Sequence, residues 1–386
     1  MSISRPFFND EHEAFRDSVR RFVTDELLPH HEQWEEAQLV PREIWRRAGE
    51  LGMLCPNLPE AYGGMGVDWL FNVVVIEEMA RAGVTGPGSG FMVHSEMVAP
   101  YILTGGSDAL KEAWLPRMAR GEAIGALAIT EPGAGSDAKA IRARAVRDGD
   151  DYVINGQKTY ISNGQNADLF IVACKTDPDA GAKGVSLLLV DATTPGVERG
   201  RNLKKIGLKA QDTSEIFFSD VRVPGANRLG AEGGGFAMMM TKLAQERLTQ
   251  AIRSICVAEA AIDWTVAYTG ERKAFGQTIA DFQNTQFTLA QLSAETTALR
   301  VFTDWCIGRF LEGALTPVEA AKAKLLVTDL HCKVVDQCLQ FFGGYGYMLE
   351  YPIARAYTDA RITRIAGGAT EVMKQIIGRD LFSRKN

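Results

Sequence analysis

The sequence lacks the long apolar runs that place a chain in a membrane. No run approaches the roughly 18 residues of a spanning helix. The opening segment MSISRPFFNDEHEAF has no apolar signal core, so we expect neither a membrane segment nor a secretory signal. The six cysteines form no CxxC pair and no cluster with histidine at zinc spacing. This predicts reduced, mostly buried thiols in a cytoplasmic protein without a metal site.

Basic stripes are also missing. The 42 Lys and Arg are scattered among 48 Asp and Glu, for a net charge of −6, whereas a nucleic-acid-binding surface needs clustered positive charge. No fixed-period repeat or low-complexity segment occurs. Glycine, by contrast, is abundant at 38 residues, which commits many positions to turns or to close approaches of the backbone.

The hydrophobic period changes twice along the 386 residues, a length sufficient for two or three domains. Residues 1–122 have the spacing of helices, beginning after a cap at Asn9 or Asp10. Residues 123–232 contain short runs rich in Val, Ile and Phe between turn signals, which predict an antiparallel sheet or a small barrel. Residues 233–386 are helical again.

Four long amphipathic stretches occupy the last segment, near residues 236–270, 281–312, 317–342 and 353–381. Thr316-Pro317 marks a helix start, because proline is favoured at the first helical position. Four helices of this length predict a bundle. The expected fold is therefore α+β and multidomain: an N-terminal α-helical domain, a middle antiparallel β-barrel domain and a C-terminal four-helix bundle.

The segment Gly133–Ala138 formally matches the dinucleotide-binding fingerprint G-x-G-x-x-G/A. That fingerprint requires a helix directly afterwards, but residues 140–146 alternate at period two and predict a strand. We therefore reject the Rossmann interpretation. The glycine loop and the strand end at Lys158–Gly164 are still suited to a flat ring or a phosphate, although both are equally compatible with ordinary β-turns.

Several motifs, taken together, resemble the acyl-CoA dehydrogenase family. In chain order they are LPEAYGGMG (Leu58–Gly66), AITEPGAGSD (Ala128–Asp137), KTYISNG (Lys158–Gly164), RKAFGQ (Arg272–Gln277) and QFFGGYGY (Gln340–Tyr347). The resemblance extends from about residue 8 to residue 384. It implies the same three-part fold, with FAD held between the middle domain and the bundle, and the α,β-dehydrogenation of an acyl-CoA thioester to the trans-2-enoyl-CoA.

The resemblance also assigns ligand contacts. The flavin ring is expected against Leu127, Ile129, Thr130 and Ser136 on one side and against Tyr160, Ile161 and Ser162 on the other. The rest of the cofactor, including its pyrophosphate and adenosine, is expected, partly across a subunit boundary, at Arg272, Phe275, Gln283, Gln340, Gly343, Gly344, Ala369, Thr370 and Glu371. The acyl-CoA is expected at Ser136, Leu243, Arg247, Gly367 and Gly368. Without its motif, Arg272 would simply be a solvated cation at a helix end.

The reaction needs a carboxylate that removes the proton α to the thioester. Most of the family places it in a Tyr-Glu-Gly-Thr pattern, where this chain has Ala366–Ala369 with Gly367 at the position of the base. The long-chain and isovaleryl branch supplies it from the first bundle helix, which Leu243–Leu248 resembles. We expect Glu246 to be the base, in preference to a surface ion-pair role and to Glu371, and Gly367 N–H to bind the thioester carbonyl.

Two departures from the family pattern concern the same loop: Ala366 replaces a bulky Tyr and Ala369 a Thr that usually contacts the cofactor. A wider pocket that tolerates branched acyl chains is the expected consequence.

The resemblance further implies a homotetramer, a dimer of dimers, and an electron-transfer flavoprotein as electron acceptor. Two alternatives of the same fold stay open: an acyl-CoA oxidase, and a non-dehydrogenating FAD-binding relative that binds nucleic acid. The second needs a basic extension, which Asp380–Asn386 is not expected to provide.

Overall fold

The N-terminal part is built from helices, as predicted. The computed structural model describes residues 5–383. Residues 1–4 of the predicted N-terminal domain and residues 384–386 of the predicted bundle lie outside this range. The Asn9 side chain caps the first helix by accepting the His12 N–H, and the His12 ring accepts the Asn9 N–H. The helices are α1 (Asp10–Phe22), α2 (His31–Ala37), α3 (Arg42–Glu50), α4 (Leu70–Arg81), α5 (Thr85–Met92), α6 (Ala99–Gly105) and α7 (Asp108–Ala119), with π-helical turns at Val23–Leu27 and Val93–Val98.

The middle part is one sheet in which most neighbours are antiparallel. Its strands are β1 (Gly125–Ala128), β2 (Arg144–Asp148), β3 (Asp151–Ser162), β4 (Leu169–Lys175), β5 (Val185–Asp191), β6 (Val197–Asn202), β7 (Thr213–Pro224) and β8 (Arg228–Leu229). Their order is β6-β7-β3-β2-β4-β5-β8, and β1 pairs with β4. The β1–β4 pair is parallel, with Gly125 opposite Leu169, and β2 meets β4 in the same sense. The sheet is therefore mixed, where only antiparallel pairing was expected.

The strand predicted over residues 140–146 is wrong at its beginning. A short 3₁₀ turn covers Ala138–Ala140, and β2 begins only at Arg144. The cause is Glu131, whose carboxylate accepts the backbone N–H groups of Arg142 (2.6 Å) and Ala143 (2.9 Å). Their N–H groups are thus bound by a side chain, although the Ala143 carbonyl already accepts the Lys175 N–H of β4 at 2.7 Å. The glycine loop leads into this 3₁₀ turn and then β2, not into an α-helix, in agreement with the rejection of the Rossmann fold.

The C-terminal part is helical, and three of its long helices match the predicted stretches closely. Thr316 caps α10 and Pro317 is its first residue. The fourth stretch, residues 353–381, is wrong as a single helix, because Gly367 (φ +66°) and Gly368 (φ +99°) have left-handed backbone conformations that end helical continuity. The elements are α8 (Gly235–Glu271), β9 (Lys273–Ala274), β10 (Gln277–Thr278), α9 (Gln283–Leu311), α10 (Pro317–Phe342), α11 (Pro352–Ala360) and α12 (Thr370–Ser383).

Helix α8 is the central element of the molecule. It packs against α4 of the N-terminal part and against α9 and α10 of the bundle, in one apolar core that includes Val73, Ile252 and Val334. Polar side chains on the middle of α8 are therefore withdrawn from water.

Cys332 is partly buried, the other cysteines are buried, and all six are free thiols. Within residues 5–383 no helix is long and apolar enough to cross a membrane, and no group of three or more His, Cys, Asp or Glu is arranged to hold a metal ion.

Candidate active site

Glu246 lies in the N-terminal half of α8 and is 6% exposed. Its Oε1 accepts a hydrogen bond from the Tyr101 hydroxyl of α6, at 3.3 Å. Burial raises the pKa of Glu246 to about 7, against the smaller lowering effects of the Tyr101 hydrogen bond and of the Arg247 and Lys242 cations. No ion pair to Glu246 is present among residues 5–383, so the surface ion-pair interpretation does not describe its surroundings. A carboxylate that titrates near neutral pH is suited to take a proton from carbon.

Two cations flank this region in different ways. Arg247 is buried, and its Nε has no hydrogen-bond partner among the described residues. Lys324 of α10 is completely buried and donates a hydrogen bond from Nζ to the Gly368 carbonyl oxygen. Burial, reinforced by the Arg247 charge, lowers the pKa of Lys324 to about 8. Lys324 therefore fixes the glycine loop, whereas the Arg247 guanidinium retains donors for a ligand.

The glycine loop faces the same side of α8 as Glu246. A Cβ built on Gly367 would lie 3.6 Å from Gln250 Cγ, and Gln250 is four residues after Glu246. Residues four apart lie on one helix face. The Gly367 position therefore lies about one helical turn from Glu246, on the same face of α8. Leu243, three residues before Glu246, is partly buried on the same face.

The loop after β1 is attached to β3 by a buried ion pair. Lys158 is 0% exposed, and its Nζ donates to Glu131 Oε1 (2.8 Å), to the Ile129 carbonyl (3.0 Å) and to the Ala173 carbonyl (2.7 Å). The Thr159 N–H also donates to the Thr130 carbonyl, at 2.9 Å. These bonds bring the two predicted flavin-ring segments side by side.

Local backbone geometry leaves an open surface at these segments. The pairing of β3 with β7 shifts register between Lys158 and Ile161, and there Tyr160 has φ +58° and an outward-facing ring that is 69% exposed. Ile161 is buried below it, and Ser162 is partly buried. A Cβ on Gly133 would meet nothing within 4 Å. The exposed Ser136 and Tyr160 and the partly buried Leu127, Ile129, Thr130 and Ser162 thus border accessible space, whereas Ile161 is buried.

A second set of predicted residues collects at the other end of the bundle. The Arg272 guanidinium lies 5.5 Å from the centre of the Tyr345 ring and has no ion pair within residues 5–383. Gly343 and Gly344 are exposed, with no atom within 4 Å of an added Cβ. A cleft of about 630 Å³ runs beside them, lined by Asn284, Gln337, Gln340 and Tyr347 among others. Gln283 begins α9 at its edge, and Phe275 is 97% exposed.

These features fit the FAD expected from the sequence. A free guanidinium suits a pyrophosphate, and glycines without Cβ neighbours leave room for a bulky ligand. Within the described protomer, no hydrogen bond, ion pair or ring contact joins the residues around Arg272 to the segments around Tyr160.

Three further predicted cofactor residues lie at the start of α12. Ala369 precedes the helix, Thr370 begins it and donates its hydroxyl hydrogen to the Arg364 carbonyl at 3.4 Å, and Glu371 is exposed.

Sequence reasoning missed the residues that act through long-range contacts. Tyr101 and Lys324 lie in apolar helical patterns, and nothing in their neighbourhood indicated a partner. Lys158 and Glu131 belonged to recognised motifs, but their 27-residue separation gave no sign of an ion pair. A charged residue at an otherwise apolar helical position is the one signal that could have identified Lys324.

Comparisons with known proteins cover nearly the whole chain. Domain models described as acyl-CoA dehydrogenase N-terminal, middle and C-terminal domains match residues 9–122, 126–221 and 233–382. The mitochondrial long-chain specific acyl-CoA dehydrogenase of Sus scrofa is 44% identical over 383 residues, which cover 99% of this chain and 89% of the relative. The mitochondrial isovaleryl-CoA dehydrogenase of Oryza sativa is 33% identical, with 100% and 94% covered. The crystal structure of an acyl-CoA dehydrogenase from Geobacillus kaustophilus superposes with a TM-score of 0.95 at 44% identity, covering 98% and 100% of the two chains.

Proposed function

The chain belongs to the acyl-CoA dehydrogenase family, and on that premise we propose that Glu246 is the catalytic base of its reaction. It is an FAD-dependent oxidoreductase that acts on the CH–CH group of an acyl-CoA thioester. The observation that carries the proposal is the burial of Glu246 together with its pKa of about 7. At neutral pH a substantial fraction of Glu246 is then deprotonated and poorly solvated, which strengthens it as a base.

The reaction breaks two C–H bonds and forms one C=C bond. Bound FAD supplies the acceptor for the hydride that leaves the β-carbon. The α-proton goes to a Glu246 carboxylate oxygen, and Tyr101 holds that carboxylate by its hydrogen bond. Because both groups belong to helices of the buried core, the base is held in place without a loop having to close over it.

The thioester carbonyl is proposed to bind the Gly367 N–H, since a hydrogen bond to the developing enolate oxygen acidifies the α-carbon. Lys324 supports this geometry by holding the adjacent Gly368 carbonyl. Arg247, Gly368, Leu243 and Ser136 are the further proposed contacts of the acyl-CoA. The unpartnered Nε of Arg247 supports its inclusion, because a buried donor without an acceptor is costly unless a ligand provides one.

The proposed cofactor contacts remain those of the resemblance. Leu127, Ile129, Thr130, Ser136 and Tyr160–Ser162 are assigned to the ring. The remaining contacts, for the rest of the cofactor with its pyrophosphate and adenosine, are Arg272, Phe275, Gln283, Gln340, Gly343, Gly344, Ala369, Thr370 and Glu371. The free Arg272 guanidinium and the adjoining cleft support the second group.

We also propose that the protein is a homotetramer in the cytoplasm that serves β-oxidation and passes electrons to an electron-transfer flavoprotein. The apolar rings left exposed on the bundle, Phe275 at 97% and Tyr347 at 83%, support self-association. An oxidase remains the competing proposal. To separate the two, the enzyme is reduced anaerobically and its reoxidation is followed with each acceptor. Fast reoxidation by the electron-transfer flavoprotein and slow reoxidation by oxygen support the dehydrogenase. Fast reoxidation by oxygen alone supports the oxidase.

The base assignment is tested with the purified holoenzyme under anaerobic conditions. Wild-type enzyme is expected to lose its flavin colour on addition of acyl-CoA and to form enoyl-CoA in equal amount. Glu246→Gln should keep FAD and lose this bleaching. Glu271→Gln, the same isosteric change at the exposed end of α8, is the matched control and should bleach normally. Normal bleaching by Glu246→Gln would remove Glu246 from the role.

A further inference from the structure

Beyond Glu246, the same face of α8 continues with two more polar side chains. Gln250 and Arg253 follow Glu246 by four and seven residues, which is the spacing of one helix face. Gln250 is 5% and Arg253 6% exposed. The Arg253 Nη2 donates to Gln250 Oε1 at 3.0 Å. This bond joins the guanidinium to Gln250, the residue that borders the Gly367 position.

Arg253 has no carboxylate partner within ion-pair distance in residues 5–383. Its other hydrogen bond goes to the Ser89 hydroxyl of α5, so both of its acceptors are neutral. The carboxylate whose charge most affects it is Asp359, which is itself engaged by the Thr85 hydroxyl and by the Leu208 N–H (2.5 Å). Burial lowers the pKa of Arg253 to about 10, which still leaves it a cation at neutral pH.

A second polar group beside Arg253 is also unsatisfied. His331 of α10 is 2% exposed, and neither of its ring nitrogens has a hydrogen-bond partner within residues 5–383. Burial and the Arg253 charge lower the pKa of His331 to about 3, so its ring is neutral, with one donor and one acceptor available. A buried cation and an unpartnered imidazole are both costly in an apolar core unless a ligand satisfies them. Leu248, Ile252 and Ile255, on the same stretch of α8 as Arg253, belong to the apolar core.

We propose that Arg253, assisted by Gln250, binds a carboxylate at the far end of the acyl chain, which makes ω-carboxyacyl-CoA thioesters the preferred substrates. The inference rests on the proposed function, because it takes Glu246 as the point where the α-carbon is held. Arg253 lies about 10 Å further along the axis of α8 than Glu246. Glu246 and Arg253 would therefore contact opposite ends of one acyl chain. A plain acyl chain would leave the guanidinium without an anionic partner, and such a mismatch discriminates strongly between substrates.

The test compares two matched substrate series with the wild-type holoenzyme. Glutaryl-, adipyl- and suberyl-CoA are each measured against pentanoyl-, hexanoyl- and octanoyl-CoA by steady-state turnover with an artificial electron acceptor. The best ω-carboxy substrate is expected to exceed its plain counterpart in kcat/KM by about tenfold or more. Equal or lower values for all three ω-carboxy substrates would overturn the proposal. This comparison needs no variant and therefore does not depend on the folding of one.

Variants then assign the preference to Arg253. Arg253→Met should reverse the ω-carboxy preference, mainly by raising KM for the ω-carboxy series, while turnover of plain acyl-CoA persists. Arg253→Lys, which keeps the charge, should retain part of the ω-carboxy preference. A purely structural role would instead lower turnover of both series equally, which would contradict the proposal. Glu246→Gln separates the two claims: its loss of activity on every substrate supports the base, whether or not an ω-carboxy preference exists.

Discussion

Gly367 lies against Gln250, with only 3.6 Å between a Cβ added to the glycine and Gln250 Cγ. Gln250 is one turn beyond Glu246, so a loop residue and a helix residue some 120 positions apart border the same space. A carboxylate on either element would therefore border the same space. In this chain the loop position is a glycine, and the helix carries Glu246, the carboxylate that we propose as the base.

The pH dependence of the reductive step should follow the pKa of Glu246. That pKa is raised to about 7, and because the base must be deprotonated, the rate of flavin reduction should rise with pH through this value. The Tyr101 hydrogen bond stabilises the carboxylate, so Tyr101→Phe should move the midpoint to higher pH, by about half a unit to one unit. Anaerobic single-turnover rates across pH measure this. Tyr62→Phe is the control and should leave the midpoint in place; an unmoved midpoint in Tyr101→Phe would exclude the coupling.

Removal of Lys158 alone should be more damaging than removal of both members of its pair. Lys158→Met leaves Glu131 buried without a cation, which costs about 3–5 kcal/mol. Adding Glu131→Gln removes the charge and keeps one of the two oxygens that accept the Arg142 and Ala143 N–H groups, so the double variant should recover part of the loss. Urea unfolding of the FAD-loaded proteins measures both. A double variant less stable than Lys158→Met would show that the charge is not the cause.

Gly367 should resist substitution for a backbone reason. Its φ of +66° disfavours any residue with a Cβ, so Gly367→Ala should lower the free energy of unfolding by about 1–2 kcal/mol. Gly378 lies inside α12 with no atom within 4 Å of an added Cβ, so Gly378→Ala should stabilise by about 0.5–1 kcal/mol. Thermal unfolding of the two alanine variants should therefore shift in opposite directions, and equal shifts would refute the strain.

The Arg272 guanidinium should contribute to FAD affinity. Arg272→Gln should weaken FAD binding by about tenfold or more, which is typical of a lost charge-assisted hydrogen bond to phosphate. Lys273→Gln makes the same charge change one residue away, on an exposed side chain, and should have little effect. Titration of the apoproteins with FAD, followed by flavin fluorescence, compares them. Equal affinities of the two variants would mean that only the general positive charge matters.

The limits of sequence-based prediction follow from the range of the interactions involved. The ends of α8 and α10 were predicted to within one or two residues, because their amphipathic period and the Thr316-Pro317 cap are local signals. The parallel pairing of β1 with β4 was missed, since alternation shows that a strand exists but not which strand is its partner. The break at Gly367 was missed because the apolar period continues on both sides of it.

In the candidate site, too, local motifs could be predicted from the sequence and long-range contacts could not. Motifs located Glu246, Gly367 and Arg272 in the sequence, and the structure supplies their surroundings. The contacts of Tyr101, Lys324 and Arg253 join residues far apart in sequence, so no local pattern could predict them. The roles proposed for these residues depend on where the ligands bind, and experiments on the loaded enzyme decide them.

Proton removal by Glu246 is the central claim, and hydrogen exchange tests it apart from hydride transfer. A 3-thiaacyl-CoA has sulfur in place of the β-carbon, so no hydride can leave, but its α-hydrogens can still exchange with D₂O. The holoenzyme should catalyse this exchange, measured by NMR. Glu246→Gln, with FAD and ligand still bound, should lower the rate by about 100-fold or more. An exchange rate in Glu246→Gln equal to that of the wild type would contradict the assignment.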